Sequence, residues 1–345
     1  MKRLVIFVAL LMISGLLAAC GSDDSASGAD GDKHIEELKI EFVPSREPDE
    51  IVTATEPLKE LLKEQLKEEG YEVDKVNINV GTNYEAVGEA LVSGATDIGF
   101  IPGGTYVLYD DGADVILAAT RSGLSNDSDD PKDWNDNKPT EPTDEQVSYY
   151  RALAIAGPSE KGQELSKKIN SGEELSWEDL NSANWIVMST SSSAGYIYPT
   201  LWLQNNYDGK DITSLDHVVT SDSYGSSFAR LASEQVDILV TFADGRRDYE
   251  DDWTSTYNRD DSIWDETNVI GVTEPIYNDT ITVAKDSPNM TDEFKAALQN
   301  AFIEIADTEE GQKVIDIYSH EGYEKADSTD YDGERDAQEI IQNMN

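Results

Sequence analysis

Five hydroxyl residues stand in a row at residues 189–193, Ser-Thr-Ser-Ser-Ser, followed by Ala194 and Gly195. The apolar run at 185–188 before them reads as a buried strand. Tyr196 onward, with Leu201, Trp202 and Leu203, reads as a helix. A strand that feeds a small-residue turn into a helix start leaves unpaired backbone N–H groups at the positive end of the helix dipole. Hydroxyls beside those groups add donors, and the combination suits an oxyanion. The same residues would also serve as a plain helix cap with spare serines, and the local sequence leaves both readings open. Two further turns offer similar chemistry. Residues 102–106, Pro-Gly-Gly-Thr-Tyr, follow a short apolar strand at 97–101. Their glycines permit close backbone approach, and Thr105 and Tyr106 carry hydroxyls; a tight strand-to-helix turn is the simpler alternative. Residues 221–227, Ser-Asp-Ser-Tyr-Gly-Ser-Ser, form the third.

The elements around these turns follow an α/β pattern. Residues 38–43 alternate apolar and polar and predict the first strand. Apolar positions recur at helical spacing over 50–69, and Gly70 closes that helix. A second strand at 73–80, a helix opened by Asn83 and Tyr84, and the strand at 97–101 complete a parallel α/β arrangement. Ligands bind at the carboxyl ends of strands in such sheets, where residues 102–106 lie. Another strand follows at 115–119. Residues 122–146 are polar, with little apolar content, and read as a long exposed loop. The strand at 149–156 leaves this half. The second half repeats the plan, with strands at 185–188, 218–219 and 236–240, the last ending in Asp244. Residues 249–268, acidic and aromatic, read as a surface insertion. A strand at 269–272 turns back, and residues 275–280 lead into a strand at 281–284. An amphipathic helix at 291–306 and a second from Gln312 precede an acidic tail, read as solvated.

The N-terminus predicts a targeting segment. Lys2 and Arg3 precede an apolar run at 4–17 that is too short for a comfortable membrane span. Residues 17–20, Leu-Ala-Ala-Cys, resemble a bacterial lipoprotein signal, with Cys20 as the lipid-carrying residue after cleavage. Residues 1–19 are thus expected as signal peptide and 20–35 as a flexible tether. Cys20 is the only cysteine, which excludes an internal disulfide and a cysteine zinc site. The formal net charge of −44 argues against nucleic acid, because phosphate neutralisation needs a basic face. It does not exclude a small anion, since local donors govern a closed cleft. Asp127, Asp129 and Asp130 lack the remaining ligands of a calcium loop, and residues 328–339 fit one only approximately. No metal or cofactor is expected.

Two α/β halves crossed twice by the chain, on a lipid tether, resemble a solute-binding protein of an ABC importer. Four stretches are similar to the phosphonate/phosphite/phosphate-binding family, of the two-lobed, type II periplasmic-binding-protein-like fold. They are residues 83–86 with 97–106, residues 192–199, residues 223–244, and residues 275–279. The resemblance implies lobe 1 over 36–150 plus 275–345 and lobe 2 over 151–274, each a mixed, mostly parallel sheet flanked by helices. It implies a phosphorus oxyanion held between them. Ser192, Ser193 and the Ala194 N–H would donate from one side, and Tyr84, Thr105 and Tyr106 from the other. Tyr224 stands where the family commonly has a histidine. Asp244 and Asp279 stand where acidic residues could pair with the amine of an aminoalkylphosphonate. The implied protein is a non-enzymatic monomer at the extracytoplasmic face, anchored through Cys20 and passing its ligand to permease transmembrane subunits. Another small anion, a sulfonate or nitrate, is the alternative. A surface hydrolase is disfavoured, because no Gly-x-Ser-x-Gly or HExxH motif occurs. A calcium-dependent adhesion lipoprotein is the remaining reading.

Overall fold

The computed structural model describes residues 33–342, so Cys20, the expected signal peptide and most of the expected tether lie outside the described residues. Fourteen strands are seen among them: β1 (His34–Phe42), β2 (Glu72–Val80), β3 (Ile98–Ile101), β4 (Ala113–Leu124), β5 (Pro142–Val147), β6 (Tyr149–Tyr150), β7 (Ala152–Ala156), β8 (Trp185–Val187), β9 (Val218–Thr220), β10 (Ile238–Phe242), β11 (Asn268–Val272), β12 (Ile276–Tyr277), β13 (Thr280–Ala284) and β14 (Gly322–Lys325). They build two main sheets, and each sheet with its helices makes one lobe. The first runs β14-β4-β13-β3-β1-β2, with β5 paired to β4; the second runs β11-β7-β10-β8-β9. A small antiparallel pair, β6 with β12, joins the two chain crossings between them.

Helical connections make β1 parallel to both β2 and β3, and β8 parallel to both β9 and β10. The sheets are nevertheless more antiparallel than the strand–helix alternation suggests. β7 and β13 each enter their sheet straight from a crossing, without a helix to reverse the chain. β7 therefore runs against β10 and β11, and β13 against β3 and β4.

The periodicities explain the packing. In β1, Leu38, Ile40 and Phe42 are buried while the residues between them are more exposed. Helix Leu58–Glu68 buries Leu58, Leu62 and Leu66, one face at a spacing of four. Phe42 stacks on Phe100 of β3, ring centroids 4.3 Å apart, and ties neighbouring strand ends together.

Three expectations need correction. Residues 122–146 are not a structureless loop. β4 extends to Leu124, pairs with β5 through backbone bonds, and the helix Pro131–Asp136 buries Trp134. One large aromatic and a hairpin suffice to order a segment whose composition is polar. Residues 249–268 are not a surface insertion either, since Trp253, Ile263 and Trp264 are buried in two short helices. The acidic tail folds as a helix, Asp332–Gln342, that buries Glu334, Ala337 and Gln338. Among the described residues no group of three or more His, Cys, Asp or Glu is placed to hold a metal ion.

Candidate functional site

Three capped helix starts bring hydroxyls to one place. The Asn83 side chain accepts from Ala86 N–H and fixes Tyr84 as the first residue of helix Tyr84–Val92. Ser223 accepts from Ser226 N–H and does the same for Tyr224 in helix Tyr224–Ala232. Ser192 accepts from Gly195 N–H at 3.2 Å and starts a π-helical turn, Ser193–Ile197, which runs on into helix Tyr198–Asn206. Such turns are often found at functional sites. The cap and the oxyanion readings of this turn are therefore not exclusive. Ser192 caps the turn and still lines a cavity of about 50 Å³ between the lobes, together with Ala194, Tyr84 and Tyr224. The Tyr84 and Tyr224 hydroxyls both interact with the Ser192 hydroxyl, and burial pushes both phenols up, so they remain protonated donors. The volume amounts to a few water molecules, the scale of a small headgroup and its substituent rather than a nucleotide or peptide.

The nine residues expected to bind ligand divide into two groups. Tyr84, Ser192, Ala194, Tyr224 and Asp279 line the cavity. Thr105, Tyr106, Ser193 and Asp244 do not. Thr105 spends its hydroxyl on the Ser191 carbonyl at 3.1 Å, across the lobe boundary. Tyr106 packs edge-to-face on Tyr331. Ser193 accepts from Gly104 N–H at 2.9 Å and lies 3.2 Å from Glu334. Thr105 and Ser193 tie the lobes to one another and Tyr106 packs within lobe 1, so none of the three faces the cavity. Asp244 lies on the far side of Arg121 and Tyr150, in a larger hollow of about 310 Å³, where it pairs with Arg121 (3.2 Å) and Arg247 (2.8 Å).

Gly104 shows why the glycine pair precedes Thr105. A Cβ there would sit 2.3 Å from Ile197 and 3.0 Å from the Ser191 carbonyl, both across the boundary. Gly104→Ala is expected to destabilise the folded chain by about 1–3 kcal/mol through overpacking. A lower urea midpoint and faster amide exchange over residues 191–197 would register it; unchanged values would show that the contact is slack.

Residues that the motifs did not reveal complete the cavity: Ser45, Arg46, Arg121, Tyr150, Tyr318 and His320. One of them had a signal, for Arg121 stands alone as a cation in the apolar run of β4. Both arginines are already neutralised. Arg46 pairs with Asp248 at 2.5 Å and also donates to the Ile317 carbonyl. Arg121 donates to Asp244 and Asn278 and stacks over the Tyr150 ring at 4.2 Å. Asp279 has no such cation. Its ionisable neighbour is His320, with Nε2 at 3.6 Å, and burial pushes the His320 pKa down. The cavity thus combines protonated hydroxyls with one carboxylate that, among the described residues, no fixed cation balances. A lone anion fits the first feature and is repelled by the second. A zwitterion satisfies both.

A model of the family described as "ABC transporter, phosphonate, periplasmic substrate-binding protein" matches residues 40–331. No curated protein matches this chain in sequence. Among solved structures, the chain is similar to a binding protein component of an ABC phosphonate transporter from Pseudomonas aeruginosa, at 15% identity over 89% of this chain and 87% of that one, TM-score 0.64. It is similar to PhnD1 from Prochlorococcus marinus, solved in complex with methylphosphonate, at 16% identity over 89% and 98%, TM-score 0.64. XAC2383 from Xanthomonas citri, solved bound to ATP, matches at 13% identity over 89% and 98%, TM-score 0.60. At these identities the likeness establishes the fold, a two-lobed type II periplasmic-binding-protein architecture.

Proposed function

The chain belongs to the family of periplasmic substrate-binding proteins of phosphonate ABC transporters, and from that premise we propose that it captures an aminoalkylphosphonate between its lobes. The observation that carries the ligand class is the cavity's pairing of donors with an unbalanced carboxylate. Tyr84, Ser192 and Tyr224 and the Ala194 N–H receive the phosphoryl oxygens. Asp279 receives the ammonium. Asp244 acts at one remove, holding Arg121 in the wall. Thr105 and Ser193 serve closure, and Tyr106 supports lobe 1 from within.

In this reading the protein is a carrier and not an enzyme. The lobes, 36–150 plus 275–345 and 151–274, close on the ligand about the two crossings. A monomer, anchored at the extracytoplasmic face by lipid on Cys20 and a tether over 20–35, presents the closed form to permease transmembrane subunits.

A thermal-shift panel tests the ligand class, because a ligand that binds the native state raises its apparent stability. The panel comprises 2-aminoethylphosphonate, methylphosphonate, phosphate, phosphite, sulfate, nitrate and taurine. The largest shift is expected with 2-aminoethylphosphonate. Asp279→Asn is expected to weaken that ligand by about tenfold to a hundredfold, the worth of one charge-assisted hydrogen bond, and to leave methylphosphonate as tight or tighter. Equal losses for both ligands would remove Asp279 from amine recognition. Shifts with taurine or nitrate alone would replace the phosphonate with another anion.

A further inference from the structure

His320 reaches the cavity from a segment unrelated to the hydroxyl turns. The chain bends sharply at Ser319, whose φ of 58° is left-handed and uncommon for a residue with a side chain. The bend puts both Tyr318 and His320 at the cavity. It also lets the Ser319 hydroxyl donate to Asp248 at 2.8 Å, in the Arg46 pair. The histidine ring is almost fully buried and is flanked edge-to-face by Tyr318 and Tyr323, with centroids 5.9 and 5.8 Å away. Nδ1 lies 3.5 Å from the Tyr323 hydroxyl. Nε2 has no hydrogen-bond partner, and the Asp279 carboxylate oxygen, at 3.6 Å, is just beyond hydrogen-bond distance.

The charges around the ring come from several elements. Asp279 at the start of β13 favours the imidazolium. Burial, Arg121 on β4 and Arg46 after β1 oppose it, and burial is the strongest of the influences. Tyr318 and Tyr323 stay protonated, because burial pushes both phenols up. The balance therefore depends on what else stands near Asp279.

We propose that His320 is a specificity-determining residue that serves as a replaceable counter-charge for Asp279. When a ligand ammonium occupies Asp279, the ring stays neutral. When the ligand is a phosphonate without an amine, the ring takes up one proton from solvent at its bare nitrogen. The imidazolium then balances Asp279, and the cavity accepts a simple anion. This inference rests on the phosphonate reading above and assigns the residue that tunes it. One consequence is a selectivity that changes with pH. Methylphosphonate affinity falls by up to about tenfold per pH unit above the titration of the ring, as linkage to one proton requires. The ring contributes no such fall for 2-aminoethylphosphonate.

The test uses the purified full-length protein. Ring 15N spectra of His320 are recorded free, with methylphosphonate and with 2-aminoethylphosphonate near neutral pH. The expected pattern is neutral, imidazolium and neutral. Calorimetry in buffers of different ionisation enthalpy then counts protons, with His320→Asn as control. The wild type is expected to take up about one proton more than the variant with methylphosphonate, and no more than the variant with 2-aminoethylphosphonate. A ring that stays neutral with both bound ligands, or proton uptake unchanged in His320→Asn, overturns the role of His320 and leaves phosphonate binding intact. If neither phosphonate binds, the ligand reading fails and this inference falls with it. The spectra need no variant, so a misfolded His320→Asn would not blunt the result.

Discussion

Asp244→Asn is expected to lower the stability of the folded chain by about 3–5 kcal/mol, the usual cost of removing one partner from a buried ion pair. Asp244 is almost wholly buried and accepts from two cations, Arg121 and Arg247. Arg121 is buried as well, and its Nε already lacks a partner. Losing the carboxylate leaves the buried Arg121 guanidinium without its charge partner, while Arg247, more exposed, keeps only a long contact to Asp248 at 3.9 Å. Urea unfolding would show the midpoint fall. Replacing Arg121 with Met in the same chain is expected to recover part of the loss, because the pair is coupled. A midpoint close to wild type, with lost amine selectivity, would instead make Asp244 a direct ligand group.

Glu334→Gln is expected to flatten a pH dependence of stability that the wild type shows. Glu334 lies on the C-terminal helix and is buried against Ser193 and Tyr198, beside the hydroxyl turn. Burial pushes its carboxyl up to about 8, from the ordinary 4.5, and outweighs the hydroxyl contacts that act the other way. Between those two values the folded chain binds one more proton than the unfolded chain. Stability from this group is therefore full below about pH 4.5 and is lost progressively as pH rises to about 8. The whole window is worth on the order of 4 kcal/mol. Gln keeps the shape and the capacity to hydrogen bond but does not titrate. Urea denaturation across the window should show the wild type losing stability relative to the variant as pH rises. A difference that does not change with pH would mean that Glu334 is ionised or hydrated in the fold.

The fold was largely legible because its strands and helices carry strong local periods. The alternation of β1 and the four-residue spacing of Leu58, Leu62 and Leu66 need no tertiary information. The hydroxyl turns were legible too, since a cap residue announces each helix start. Which hydroxyl faces the cavity was not. Ser192 and Ser193 are adjacent and chemically alike, yet one lines the cavity and the other closes the lobes, a choice made by the π-helical turn and by Gly104 across the boundary. Arg46, Tyr318 and His320 were beyond reach for a different reason. They come together from segments more than two hundred residues apart, and their local sequences have no cap, glycine pair or period. The buried aromatics of 249–268 were misread because acidic neighbours masked them. In a chain of net charge −44, local composition is a poor guide to burial.

Whether the interlobe cavity holds a phosphoryl group on hydroxyls from both lobes is decided by a crystal structure grown with 2-aminoethylphosphonate. Phosphorus density bounded by Tyr84, Ser192, Ala194 and Tyr224 is expected, with the ligand nitrogen on Asp279. Density for the ligand elsewhere, or the phosphoryl group against Arg46 or Arg121 with the hydroxyls unused, would contradict it.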